Sequence, residues 1–325
     1  MNLVVGATGQ LGTAIVRKLV DDHQPVRAFV RKTSHYEHLQ RPEIQLAQGD
    51  LRDPDSIDKA LNRVDVVIAT ANAIIPRGSG TQEQVEDFGY ANLFAACKRA
   101  KIQQFILVSA GKVEGAEDVP VMHYKALNEK RLIDSGIAYT IFRADAFMEV
   151  WLPLIGSQTV LRGEYLSQPE KSFWFFNLFN SMVGGMVEKR GRAIIAGRPG
   201  NHHTMISLHD VATFVVRATC NEAAYNRVFD LGGPETLTWD ETVAILSKVL
   251  DRPVRGIYTP AGVFKVMSAI MRPFAPNAAN IMGLNVMGAM TDVSWDMTDT
   301  ARLFGVSHMT SVEELLRNKL ALPAD

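Results

Sequence analysis

Leu3-Val4-Val5-Gly6-Ala7-Thr8-Gly9-Gln10-Leu11-Gly12, followed at helical spacing by Ile15, Val16, Leu19 and Val20, sets the architecture of this chain. A short apolar run, a turn carrying three glycines and an amphipathic helix start follow one another without a gap. At this spacing the glycines have separate tasks. Gly6 permits the tight turn, Gly9 lets backbone approach a pyrophosphate, and Gly12 lets the helix pack closely on the strand. The first amides of the helix then face the anion, where the macrodipole favours negative charge. The segment reads as a strand, a phosphate cradle and a helix.

Outward from there, short apolar runs alternate with helical patterns as far as residue 142. Strands are predicted over 2–5, 26–30, 44–47, 64–69, 104–109 and 138–142. Helices are predicted over 10–22, 54–61, 82–100 and 122–135, with a short helical piece around 34–40. The pattern is α/β, a doubly wound parallel sheet covered on both faces, with its ligand at the carboxyl ends of the strands. After residue 143 the alternation weakens and aromatic, Met and Pro content rises. Residues 1–150 therefore read as a nucleotide-binding domain. Residues 151–325 read as a smaller mixed α/β substrate-binding region, packed against the first and receiving chain crossovers. Within it, Ser207-Leu208-His209-Asp210 predicts a capping box opening a helix over 210–220, and Thr238-Trp239-Asp240-Glu241 another over 239–250. Val228 to Pro234 reads as a strand running into a turn.

Composition excludes several classes. With 34 basic against 35 acidic residues the chain lacks the field of a nucleic-acid binder. No apolar stretch approaches the ~20 residues that span a bilayer, and the first strand begins at residue 2. A cytoplasmic protein is expected. Cys97 and Cys220 are isolated and predict buried free thiols. His202-His203, which read as a loop pair, and His209, which follows a strand-to-helix turn, lack the spacing of a zinc site, so no metal is expected.

The end of the second strand bears on cofactor choice. A fold that takes NAD usually has a carboxylate there for the ribose diol, whereas this chain has Arg31 and Lys32. A guanidinium accepts a 2′-phosphate in a two-pronged contact, which favours NADP(H) over NAD(H); the alternative is a solvated basic turn. Thr33 and Ser34 offer hydroxyls. Gly49-Asp50-Leu51 would flank adenine, although Asp50 and Asp53 equally suit helix caps. Ala69-Thr70-Ala71-Asn72 presents small residues near the ribose and nicotinamide.

The cradle, Arg31-Lys32, Gly49-Asp50-Leu51, Phe105-Ile106-Leu107-Val108-Ser109 and Ser135 through Arg143 together resemble the NmrA-like branch of atypical short-chain dehydrogenases/reductases. The resemblance covers most of residues 1–150 and continues more loosely through Ile206 to Ala212 and Phe229 to Glu235. It implies a Rossmann fold, NADP(H) binding, and either reductase activity or redox sensing. This chain departs from the family at Ala144-Asp145, where proline is common. Ordinary members use Ser, Tyr and Lys in a Tyr-x-x-x-Lys motif. By the resemblance Lys125 matches the lysine, Val121 stands where the tyrosine would be, and the catalytic hydroxyl falls at Ala110, with Ser109 one place away. Lys125 would hold the nicotinamide ribose or, as similar isoflavone-reductase-like relatives imply, assist proton transfer; the plain alternative is an exposed helix lysine. Tyr124 and His123 are weaker candidates, because consecutive helix positions point about 100° apart.

Phe173-Trp174-Phe175-Phe176 with Phe179, and Met267, Met271, Met282, Met287 and Met290, would line an apolar pocket, fill a core or form a dimer face. The expected activity is NADP(H)-dependent reduction of a hydrophobic carbonyl, enone or quinone. The rival is a non-catalytic NADP(H)-binding redox sensor, regulatory or assembly protein acting through a protein partner. Either is compatible with an oligomer.

Overall fold

The structure, a computed structural model, describes residues 1–72, 81–115, 117, 119–163, 181 and 183–322. Its strands in chain order are β1 (Asn2–Val5), β2 (Val26–Val30), β3 (Ile44–Gln48), β4 (Val66–Ala69), β5 (Gln104–Ala110), β6 (Tyr139–Ala144), β7 (Arg192–Ala196), β8 (His202–His203), β9 (Arg227–Leu231), β10 (Leu237–Thr238) and β11 (Arg255–Thr259). Seven of them form one parallel sheet in the order β3-β2-β1-β4-β5-β6-β9. β1 is buried at all four positions because helices cover both faces. The strand order reverses between β1 and β4, the switch point at which such sheets open a crevice.

Helix α1 (Gln10–Asp21) buries Leu11, Ile15, Val16 and Leu19 against one face, and α2 (Pro54–Ala60), α3 (Tyr90–Ala100) and α4 (Pro120–Asp134) complete the covering layers. The single helix predicted over 82–100 begins instead with a π-helical segment, Gln84–Gly89. Its carbonyls are used from outside. Asn128 Nδ2 donates to Glu86 O at 2.7 Å and Arg131 Nη1 to Asp87 O at 3.1 Å, so α4 is fastened to the widened turn.

The chain returns to the sheet late. The helix Leu208–Ala218 packs on α1, and β9 pairs with β6 from Thr140↔Arg227 to Ala144↔Leu231. One core joins Val4, Ile15 and Leu19 to Val216, Phe229, Leu231 and Phe304. A second lies on the opposite face around Leu3, Val5, Leu93 and Phe105. A third, around Leu152, Ile195, Trp239, Leu246 and Leu316, holds the remaining elements together. Among the described residues no helix is long and apolar enough to cross a membrane.

Two cap expectations differ in outcome. Ser207 caps its helix, accepting from Asp210 N at 3.1 Å, but the helix starts at Leu208 rather than 210. The reciprocal bond to the Ser207 backbone amide is not made: the Asp210 carboxylate accepts from Thr310 N at 2.8 Å and meets the Ser207 hydroxyl instead. Thr238 and Glu241 make the full reciprocal box: Glu241 N donates to Thr238 Oγ1 at 3.2 Å and Thr238 N to Glu241 Oε2 at 2.7 Å. Thr238→Ala should therefore lower unfolding free energy by about 1 kcal/mol in urea titration, and an unchanged midpoint would show the cap to be idle. Cys97 is buried as expected, its thiol pushed up by burial. Cys220 is exposed instead, at a turn residue with φ 55°, because the helix has already ended at Ala218.

Candidate functional site

A cavity of about 430 Å³ runs along the carboxyl ends of the sheet, from the β1–α1 turn to the loops after β5 and β6. At one end it is lined by Gly6, Thr8, Gly9, Gln10 and Leu11. Gly6 has φ +88°, and a Cβ there would fall 2.7 Å from Ala71 N; a Cβ on Gly12 would fall 2.7 Å from the Gly6 carbonyl carbon and closer still to its oxygen. Gly12 thus stands behind the wall and sets how tightly α1 sits on the turn. No side chain caps α1 and its first turn has no acid, so its leading amides are left for an anion in the cavity. The groups present fit a pyrophosphate.

Beyond the cradle, Arg31, Ser34, Asp50 and Leu51 line the wall, while Lys32 and Thr33 are exposed and are not among its lining residues. The Asp50 carboxylate takes Arg52 Nε at 2.9 Å and Arg52 Nη2 at 2.8 Å. That bond to Arg52, aided by Arg31 nearby, holds its carboxyl below the usual range. Asp53, not Asp50, caps α2, accepting from Asp55 N at 3.2 Å. Thr70, Ala71 and Asn72 line the cavity; Ala69 is wholly buried in the sheet behind them.

At the other end, Lys125 lies on the cavity side of α4 with Nζ donating to Val108 O at 3.0 Å. An ammonium carries three donors, so this bond aims the group while leaving hydrogens for the cavity. One turn on, Glu129 takes Arg143 Nη2 of β6 at 2.6 Å, so two successive turns of α4 are fixed to the sheet. Ser109 lines the wall with its Oγ buried and without a hydrogen-bond partner among the described residues, and Ala110 and Val121 are beside it. Tyr124 is outside the lining. Burial, with Glu83, Asp87 and Glu86, raises its phenol, so it is turned toward the acidic π segment. His123 is exposed.

The sequence reading missed part of this wall. Asp145 lines it, with Oδ2 accepting from Thr204 N at 2.7 Å; burial, against the bonds from Ala146 and Thr204, raises its carboxyl to about 6. His203 lines it too. The pair expected in a loop forms the two-residue strand β8, and strand alternation sends its members to opposite faces. His202 is exposed and bonded to Asp292 at 2.9 Å, whereas His203 is buried at 4.7 Å from the Trp239 ring, its imidazole pushed down to about 4 by burial. Trp151 sits against Gly288 and Trp295 against Gly111, positions where any Cβ would strike the indole. Of the methionines singled out, Met287 lines the cavity, Met282 is core and Met267 is exposed. The aromatic run 173–179 lies outside the described residues.

Comparison with known proteins places this geometry in context. A triphenylmethane reductase from Citrobacter sp., in complex with NADP(H), superposes with a TM-score of 0.73 at 18% identity, covering 98% of this chain and 100% of that one. An NADPH-dependent quinone oxidoreductase from Escherichia coli gives 0.71 at 20% identity, with 98% and 100% covered. At such identities the likeness is one of fold. In sequence, the photosystem II assembly factor Ycf39 of Cyanophora paradoxa is 36% identical over 163 residues, about half of either chain at 49% and 50%. An NAD(P)H azoreductase of Xenophilus azovorans is 29% identical over 257 residues, 78% of this chain and 76% of that one. The model of the NmrA-like family matches residues 2–316, and the chain belongs to that family.

Proposed function

We propose that the protein is a cytoplasmic NADPH-dependent reductase of an apolar small molecule of the carbonyl, enone or quinone type. The observation that carries this reading is one continuous cavity joining an uncapped helix start, a guanidinium, and a lysine held at a strand end to a wall of apolar side chains. When bound, a reduced nicotinamide dinucleotide supplies hydride. The chain's own residues do the rest. The α1 amides take the diphosphate, Arg31 the 2′-phosphate, and Lys125 places positive charge where oxygen becomes anionic or where the ribose is held. Val113, Val121, Trp151, Leu284, Met287 and Trp295 exclude water and favour an uncharged, flat substrate. Residues contributed from 151–325 thus serve as the substrate side.

A second reading, a non-catalytic NADP(H)-binding assembly or regulatory protein, is supported by Val121 at the place of the usual tyrosine and by the relative named as an assembly factor. NADPH oxidation across a panel of quinones, enones and aromatic ketones separates the two, since only the reductase turns over. The cofactor assignment has its own check. Arg31→Ala removes a charge-assisted contact of about 2 kcal/mol, so NADPH should bind about 30-fold more weakly by calorimetry while NADH changes little. Equal losses for both nucleotides would refute the 2′-phosphate role.

A further inference from the structure

Adding hydride to a carbonyl leaves an alkoxide, and a proton must come from somewhere. This question rests on the reductase reading above. The usual phenol is replaced by Val121, and Tyr124 lies outside the cavity. The titratable groups that line it are Arg31, Asp50, Lys112, Lys125 and His203, besides Asp145. Arg31 does not deprotonate, and Asp50 is held ionised by Arg52. Lys112 is exposed to solvent, and Lys125, anchored on Val108 O, is the group already assigned to hold positive charge beside the oxygen or the ribose. His203 is neutral and has no second proton to give. Asp145 remains.

We propose that Asp145 is the catalytic acid that protonates the substrate oxygen. Its position follows from the sheet. Val108, which anchors Lys125, pairs with Phe142, and Asp145 stands three residues further along the chain, just past the end of β6, about 10 Å outward at 3.3 Å per residue of extended chain. Lys125 and Asp145 line the same cavity. Its backbone is fixed on both sides, with Asp145 N donating to Leu231 O at 2.9 Å and Gly111 N to Ala144 O at 3.0 Å. The carboxyl has only the backbone amides of Ala146 and Thr204 as partners among the described residues, and Arg143, two residues back, is committed to Glu129. Burial keeps a proton on this group to unusually high pH, as a working acid requires. In the step, hydride forms a C–H bond, the C=O π electrons move to oxygen, and the Asp145 O–H bond breaks as the product O–H bond forms. Water entering the cavity then reprotonates the carboxylate.

The test uses two acceptors. A quinone needs both hydride and proton, whereas a cationic triarylmethane dye takes hydride on its central carbon and needs no proton. With saturating NADPH, Asp145→Asn should lower quinone turnover about 100-fold and leave dye turnover within about threefold, and Asp145→Glu should recover part of the quinone rate. Wild-type quinone kcat/KM should fall tenfold per unit as pH rises above about 6, because the protonated form is the active one; the dye profile should lack this limb. In cofactor-free protein, carboxyl carbon NMR should show a group titrating near 6 that Asp145→Asn removes. Equal losses on quinone and dye, an unchanged quinone rate, or an Asp145 carboxyl titrating near 4 would each overturn the assignment while leaving the reductase standing. No turnover of either acceptor by the wild-type protein would overturn both.

Discussion

Gly12→Ala is expected to abolish measurable NADPH binding, a loss of at least 100-fold, and to lower unfolding free energy by about 3 kcal/mol. In a helix, alanine normally stabilises by up to about 1 kcal/mol relative to glycine, so the sign of the effect is itself diagnostic. The added carbon would meet the Gly6 carbonyl and the Ala7 Cα, the latter at 2.8 Å. All of these are backbone atoms, which no rotamer change can clear. Relief requires α1 to lift from β1, and that carries its leading amides away from the space where an anion would sit. Gly9→Ala is the control, since its added carbon meets only Gly6 O, at 3.3 Å; that variant should fold normally. Calorimetric titration and urea unfolding read both effects. A Gly12→Ala protein that is more stable and binds NADPH normally would remove the cradle from the account.

The other large effect is at Lys125. Its replacement by alanine should cut turnover 100- to 1000-fold, the loss of about 3–4 kcal/mol that follows removal of a preorganised donor from an oxyanion site. NADPH affinity should fall far less, under about tenfold, because the residues proposed for the diphosphate and the 2′-phosphate lie elsewhere. The variant also leaves Val108 O without its side-chain donor, so Lys125→Met, which keeps most of the stem, is the better measure of charge alone. If kcat of both variants matched the wild type, Lys125 would be a strut between α4 and β5 and nothing more.

The sheet was readable because its signals are local. Val4 and Val5 next to three glycines, and Ile15 to Val20 at helical spacing, specify a strand, a turn and a helix without reference to anything distant. The same holds for Thr238 and Glu241, three residues apart. The cavity's outer wall carries no such signal. Asp145, His203, Met287 and Trp295 come from four separate stretches and meet only through tertiary packing. Even so, His203 left a trace. Adjacent histidines paired with Leu237 and Thr238 alternate in and out as any strand does, and a two-residue strand is too short for periodicity to reveal. Gly111 and Gly288 left another, because each is small where an indole is large. The two residues were separated by too much chain to be matched with Trp295 and Trp151 in advance.

β9 carries a consequence for biogenesis. Until Arg227–Leu231 arrives, β6 is an open edge, and the hydrophobic layer over α1 lacks Phe229, Leu231 and Phe304. At 5–20 residues per second the ribosome needs roughly 10–30 s to go from Ala144 to Phe304. For that interval the nascent N-terminal part of the sheet presents an unpaired strand to its surroundings. Chaperone demand should therefore track the length of that delay, and a nonsense codon anywhere between these points should yield aggregate rather than a smaller working protein.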